Sequence, residues 1–345
     1  MELRRRSDRL IPVVCVTAQH RGMLDQVLSC FNITPDYDLD VMRPGQDLFY
    51  VTSRNLEELK KVVLKESPDW VLVQGDTTTT FTGALAAFYN QIPVGHVEAG
   101  LRTNQMYSPF PEEMNRKLTT QLSSLHFAPT EKAKANLLRE AVPAETIRVT
   151  GNTAIDALLS VAGRTYDFKN NGLGFLDPSR PIIVVTAHRR ESFGEPFLRL
   201  CQALSIIADR RPDCQLVYPV HLNPNVRGPV FERLGNKKNV HLIEPLDYEP
   251  FVHLMAASRI ILTDSGGIQE EAPSLNKPVL ILRETTERPE VVDVGAAKLV
   301  GTDVQKIVDE AIRLIVDESA HAMMSEKKNP FGDGRAAQYI VDALY

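Results

Sequence analysis

Short runs rich in β-branched residues alternate along this chain with longer segments of helical period, and that alternation limits the fold more than any other feature. The runs are "IPVVCVTA", "WVLVQGD", "IPVGHVEA", "LHFAPT" and "IRVTG", then "PIIVVTAH", "CQLVYPVH", "VHLIEPL", "RIILTD", "PVLILRE" and "AKLVG". Between them, residues 23–31 carry Met23, Leu24, Val27, Leu28 and Phe31, and residues 304–318 carry Val304, Ile307, Ala311 and Ile315. Apolar residues three and four apart form one helix face. Strands alternating with helices predict parallel sheets covered on both faces. Five runs fall before residue 151 and six after 180, separated by the weakly apolar "AGRTYDFKNNGLGFLDPSRP". The expected fold is therefore α/β, with two doubly wound, Rossmann-like domains, 1–165 and 166–345, facing each other across a cleft. The last helix is free to cross back to the N-terminal domain. A chain of 345 residues is long enough to give each domain its own core.

Composition removes several function classes. Hydrophobic residues make up 43% and charged residues 24%, the balance of a folded globular protein. A formal net charge of −5 gives no general attraction to nucleic acid or to anionic membranes. Cys15, Cys30, Cys201 and Cys214 are scattered without C-x-x-C spacing, which reads as reduced core thiols in a cytoplasmic protein. The N-terminal "IPVVCVTA" is short and β-branched, and suits a buried strand better than the core of a secretory signal. No segment approaches the roughly 18 apolar residues of a membrane span. No metal-binding cluster and no nicotinamide fingerprint is present, so no cofactor is expected.

In open parallel sheets ligands bind beyond the carboxyl ends of the strands, so the residues just after each run carry the information. After "RIIL" come Thr263, Asp264, Ser265, Gly266 and Gly267, with a helix able to begin near Ile268. Two glycines allow a phosphate close to the backbone, and a helix start favours an anion. Ser265 as a plain helix cap is the competing account. Glu270 and Glu271 would repel a bare phosphate but suit the hydroxyl pair of a ribose, which favours a nucleoside diphosphate over inorganic phosphate. "HRRESFG" places His188, Arg189 and Arg190 after another run, "HLNPN" places His221, and "LRETTERPE" places Arg283 and Arg288, with solvated salt-bridge partners as the competing account for the charges of that last stretch. The second half thus reads as an anion-binding domain.

The first half presents carboxylates at the same level. Asp76 follows "WVLVQG", Glu98 ends "IPVGHVE", and Glu112 and Glu113 follow Pro111 at the start of a helix. Each acid taken singly could be a cap. Together they suit general acid and base work on the sugar end of a nucleotide sugar.

The stretches "CVTAQHR", "VQGDTTT", "HVEAGLRT", "PFPEEMNR", "TGNTAIDAL", "TAHRRESFG", "YPVHLNPN", "DSGGIQEEAPSLNKPVL", "TTERPE" and "NPFGDGRA" occur in that order from about residue 13 onward. The series resembles the non-hydrolysing UDP-N-acetylglucosamine 2-epimerases of bacteria and archaea. The resemblance implies a glycosyltransferase-B-like fold and reversible conversion of UDP-GlcNAc to UDP-ManNAc, a precursor of surface polysaccharides. In the family mechanism UDP is eliminated to leave 2-acetamidoglucal and then adds back. Carried over by position, Asp76, Glu98 and Glu112 match the acid and base candidates, and His188 the histidine near the diphosphate. Ser265, Gly266 and Gly267 match the phosphate loop, Glu271 the ribose carboxylate and Phe251 the uracil contact. Gln19, Arg189 and His221 correspond to a regulatory UDP-GlcNAc site. A homodimer is implied, with no metal, no nucleic acid and no membrane.

The chain departs from the family pattern at its start. Members begin with a strand ending in Gly-Thr-Arg-Pro-Glu and a following helix, whereas "MELRRRSDRL" resembles only the tail of that helix. Loss of a central strand is expected to leave neighbouring edges unpaired and to weaken activity. A poorly active nucleotide-sugar binder is one alternative. A hydrolysing epimerase or a glycosyltransferase of the same fold is the other.

Overall fold

The computed structural model describes residues 1–18, 21–43 and 45–345. The chain divides into two units, Met1–Asp156 with Gly334–Tyr345, and Ala157–Asp333. In the first unit the strands are β1 (Cys15–Val16), β2 (Tyr37–Asp38), β3 (Val71–Gln74), β4 (Val94–Val97), β5 (Leu125–Ala128) and β6 (Ile147–Val149). They form a two-stranded sheet, β1-β2, and a four-stranded sheet, β3-β4-β5-β6. Every pairing in both is parallel.

The helix Thr78–Tyr89 follows β3 and begins at Thr77, whose hydroxyl accepts from the Thr80 N–H at 3.3 Å. Such a cap satisfies one of the four N–H groups that a helix start leaves unpaired. At the other end of this unit, the carboxylate of Asp156 accepts from the N–H groups of Ala336 and Ala337 at 3.0 and 2.8 Å. That double acceptance caps the final helix, Ala336–Asp342, and holds it to this unit. Among the described residues β3 pairs only with β4 and so forms one edge of its sheet. A cavity of about 220 Å³ lies there, lined by Leu72, Val73, Val97, Ile340 and Val341 among others.

The second unit contains β7 (Ile182–Thr186), β8 (Gln215–Pro219), β9 (Val240–Ile243), β10 (Ile260–Thr263), β11 (Val279–Ile281) and β12 (Ala297–Leu299). Their order is β12-β11-β10-β7-β8-β9, again with every pairing parallel. From β7 the chain runs outward through β8 and β9, then returns to β10 on the opposite side of β7. The carboxyl ends of β7 and β10 are therefore the topological switch point, the place where ligands bind in such sheets. Both strands are buried throughout, as expected of a sheet covered on both faces. The core here is continuous and includes Ile183, Phe197, Leu204, Leu216, Tyr218, Leu262 and Ile307.

Each of the eleven apolar runs yields a strand. Among the described residues β2 is the one strand they miss, because it is two residues long and mostly polar. The expected helices over 23–31 and 304–318 are Arg21–Cys30 and Val304–Val316. Among the described residues no helix is long and apolar enough to cross a membrane.

Candidate active site

In the first unit, the acids singled out in the sequence stand at neighbouring strand ends. β3 and β4 pair in register with Gln74 opposite Val97. The N–H of Gly75 still donates to the Val97 carbonyl at 3.0 Å. Immediately beyond, Gly75 takes a φ of +77° and Glu98 one of +67°, so both chains turn sharply as they leave the sheet. Only glycine adopts that conformation without strain, and a non-glycine residue held there is common at functional sites. A Cβ on Gly75 would sit 3.4 Å from Oε2 of Glu98, which puts the Glu98 carboxylate against the turn that carries Asp76.

The helix Glu112–Leu122 completes the arrangement. Asn115 donates through Nδ2 to the Asp76 carbonyl at 2.9 Å. Arg116 ion-pairs with the Asp76 carboxylate and also donates to Glu113 at 3.0 Å. Glu113 is fully buried and accepts from the N–H groups of Thr103 and Asn104 at 3.1 and 3.0 Å. Burial alone would push its pKa up. Those backbone donors and the Arg116 charge outweigh it and leave the carboxyl below its ordinary range. Glu113 is thus an anchor for the loop and for Arg116. Glu112, the first residue of the helix, has a buried Oε2 with no hydrogen-bond partner. Unpaired buried carboxylate oxygens are uncommon away from sites that bind something.

In the second unit Asp264 is the organising group, although it is silent in sequence. It is buried, and one carboxylate oxygen accepts from the N–H groups of both His188 and Arg189 at 2.7 Å. Its other oxygen stands 3.7 Å from Nδ1 of His188. Burial lowers the His188 pKa most, the Asp264 charge opposes that shift, and His221 and Arg189 add to it. The rings of His188 and His221 stack at 5.3 Å, so the ends of β7, β8 and β10 meet. Nη2 of Arg189 comes within 3.8 Å of where a Cβ on Gly266 would stand, which places its guanidinium beside the glycine pair.

Ser265 makes no side-chain cap to the helix Gly266–Glu271, which removes the plain capping account and leaves its hydroxyl available. The helix starts two residues before the expected Ile268. Glu270 ion-pairs with Arg288, and its carbonyl accepts from Asn329 at 2.6 Å. Glu271 is the acid of this pair whose pKa is raised, to about 7, first by burial and then by Glu270. Phe251 is half-buried on the helix Tyr248–Ala257, which packs against residues Ala272–Leu275 just after Glu271.

Two further cations after the strands are ion-paired within this unit. Arg283 is buried and stands 2.7 Å from the Glu191 carboxylate, with its Nη1 buried and without a hydrogen-bond partner, and Arg288 is paired with Glu270. Gln19 lies outside the described residues. Among the described residues no three His, Cys, Asp or Glu side chains are arranged to hold a metal ion. Arg116, Asn115 and Asp264 were legible only as letters within longer motifs, because each acts through a contact between segments distant in sequence.

Comparison with known proteins gives a consistent result. The family model described as UDP-N-acetylglucosamine 2-epimerase matches residues 1–345. A UDP-N-acetylglucosamine 2-epimerase of Yersinia pestis is 59% identical over 337 residues, covering 96% of this chain and 90% of that protein. The one from Escherichia coli K12 is 58% identical with the same coverage. Among solved structures, the Neisseria meningitidis UDP-GlcNAc 2-epimerase bound to UDP-GlcNAc superposes with a TM-score of 0.87 at 50% identity, covering 99% of this chain and 94% of that one. The Methanocaldococcus jannaschii enzyme in complex with UDP-GlcNAc and UDP gives 0.77 at 35% identity, with the same coverage.

Proposed function

The chain belongs to the UDP-N-acetylglucosamine 2-epimerase family, and from that premise we propose how its two units divide the reaction. The protein is an isomerase that epimerises UDP-GlcNAc at C2. The C2 hydrogen is not adjacent to a carbonyl and is too weakly acidic for simple removal and return. Departure of the leaving group must therefore accompany loss of the proton.

In the reading we favour, a carboxylate among Asp76, Glu98 and Glu112 takes the C2 proton while the C1–O bond to UDP breaks, leaving a C1–C2 double bond in 2-acetamidoglucal. UDP then re-forms the bond to C1 and a second carboxylic acid returns a proton to the opposite face of C2. Atoms balance without an oxidant or a cofactor. Arg116 keeps one of the three acids, Asp76, beside a fixed positive charge.

The second unit retains UDP through the elimination. Ser265, Gly266, Gly267 and His188 would hold the diphosphate at the switch point, Glu271 the ribose and Phe251 the uracil. Arg189 and His221, with Gln19, would serve a regulatory UDP-GlcNAc site. A cytoplasmic homodimer belongs to the same reading, and sedimentation velocity tests its assembly.

The observation that carries the proposal is the placement of Asp76, Glu98 and the helix bearing Glu112 at adjoining strand ends of one sheet. Incubation with UDP-GlcNAc in deuterated water, followed by proton NMR, tests it. UDP-ManNAc carrying deuterium at C2 is the expected product. Free ManNAc with UDP, or product retaining the C2 hydrogen, would overturn the mechanism.

A further inference from the structure

Asp76 is gripped through the peptide groups on both sides of it. The peptide joining Gly75 to Asp76 is held by His96, whose Nε2 stands 2.8 Å from the Gly75 carbonyl. The peptide joining Asp76 to Thr77 is held by Asn115 at 2.9 Å. Fixing both peptide planes fixes the Cα of Asp76 and the direction in which its side chain leaves the backbone.

His96 is unusual for a core position. It is fully buried within β4, and its Nε2 contact is to a carbonyl, which only accepts. Nε2 must therefore carry the hydrogen. Burial foremost, with His126 in register on β5 adding to it, pushes the His96 pKa down to about 4, so the ring is neutral and Nδ1 is bare. Nδ1 has no hydrogen-bond partner. A leucine would fill a similar volume without leaving a polar atom unpaired in the core. What the histidine adds is the one hydrogen bond to the turn before Asp76.

We propose that His96 is a positioning residue which, together with Asn115, sets the backbone of Asp76 at the end of β3 for proton transfer at C2. The inference rests on the reading of Asp76 as a reacting carboxylate. It makes no claim on UDP binding, which belongs to the other unit.

The test compares His96→Leu, His96→Gln, Asn115→Leu and Asp76→Asn in the full chain. Misplacement of a reacting group by a fraction of an ångström to an ångström costs about 10- to 100-fold in turnover. His96→Leu is expected to lower kcat by that amount with KM and UDP affinity little changed. His96→Gln, which restores an N–H donor at similar reach, should recover most of the loss. Asn115→Leu should behave like His96→Leu, and it carries the test if the leucine at 96 fails to fold. In an Asp76→Asn background, His96→Leu should add little further loss, because both act through one group. Normal turnover of Asp76→Asn would sink the reading of Asp76 itself. An inactive Asp76→Asn beside a fully active, folded His96→Leu or Asn115→Leu would sink the positioning proposal alone. So would losses that multiply in the double variant.

Discussion

Glu270 and Glu271 are joined by one peptide bond yet lie in different electrostatic surroundings: Glu270 is ion-paired with Arg288, whereas the pKa of Glu271 is raised to about 7 by burial and by its neighbour's charge. The ordinary value is 4.5, so the folded protein holds this proton more tightly than the unfolded chain does. Below 4.5 both states are protonated and the site costs nothing; as pH rises through the window to about 7, stability is lost. Glu271→Gln should leave the melting temperature unchanged near pH 4.5 and raise it at pH 8. If the carboxylate accepts from a ribose hydroxyl, the same variant should weaken UDP binding most at pH 8. Thermal melts and calorimetric UDP titrations across that range check both; a variant that melts lower at pH 8 contradicts the assignment.

Glu112 is one of the acids proposed to react, and its Oε2 is buried without a hydrogen-bond partner. Glu112→Gln keeps the shape of the side chain and removes its ability to exchange a proton. Loss of one general acid or base costs about 100- to 10,000-fold. We expect kcat to fall within that range and UDP affinity to stay within about twofold, since the groups proposed to hold the nucleotide belong to the other unit. Deuterium incorporation at C2 should slow in parallel with turnover.

Arg116 holds two acids of unequal burial, and its removal should register in both stability and rate. Glu113 is fully buried and keeps its Thr103 and Asn104 donors once Arg116 is gone. Breaking a buried ion pair from one side costs about 3–5 kcal/mol, and the surviving N–H bonds should reduce this to about 2–3 kcal/mol. Arg116→Met is therefore expected to lower the unfolding free energy measured in urea by that amount and to lower kcat by releasing Asp76. Adding Glu113→Gln should return part of the stability but none of the rate.

Much of this was readable from the residues. The period of the apolar runs exposed the sheets because a strand buried on both faces needs unbroken apolar stretches, as β7 and β10 have. The strand-end rule singled out Asp76, Glu98, His188 and the glycine pair because ligands in such sheets collect where strands stop, and the fold sets each of them just beyond a strand. Asp264 was hidden because an aspartate after a strand has the same letter whether it caps a helix or orders two neighbouring N–H groups. Arg283 and Arg288 could be read either as anion ligands or as salt-bridge partners. A cation after a strand looks free in sequence, and only the fold brings Glu191 and Glu270 to it. His96 was passed over because a histidine between Gly95 and Val97 reads as part of a buried strand, which it is; its partner, Gly75, is 21 residues away.

The single-sided pairing of β3 has a measurable consequence within its four residues. Val71 donates to Pro93 and Gly75 donates to Val97, both toward β4. Because successive N–H groups in a strand point in opposite directions, those of Leu72 and Gln74 point away from β4, toward the side where the described residues supply no neighbouring strand. Leu72 and Gln74 also line the cavity. Unprotected amides exchange through local openings far below the global unfolding energy. Hydrogen exchange followed by NMR should show Leu72 and Gln74 exchanging much faster than Val71 and Val73. Addition of a short, apolar extended peptide able to pair with the edge should slow the first two without changing the second. Equal protection of all four residues in the free protein would mean that the edge is already covered in solution.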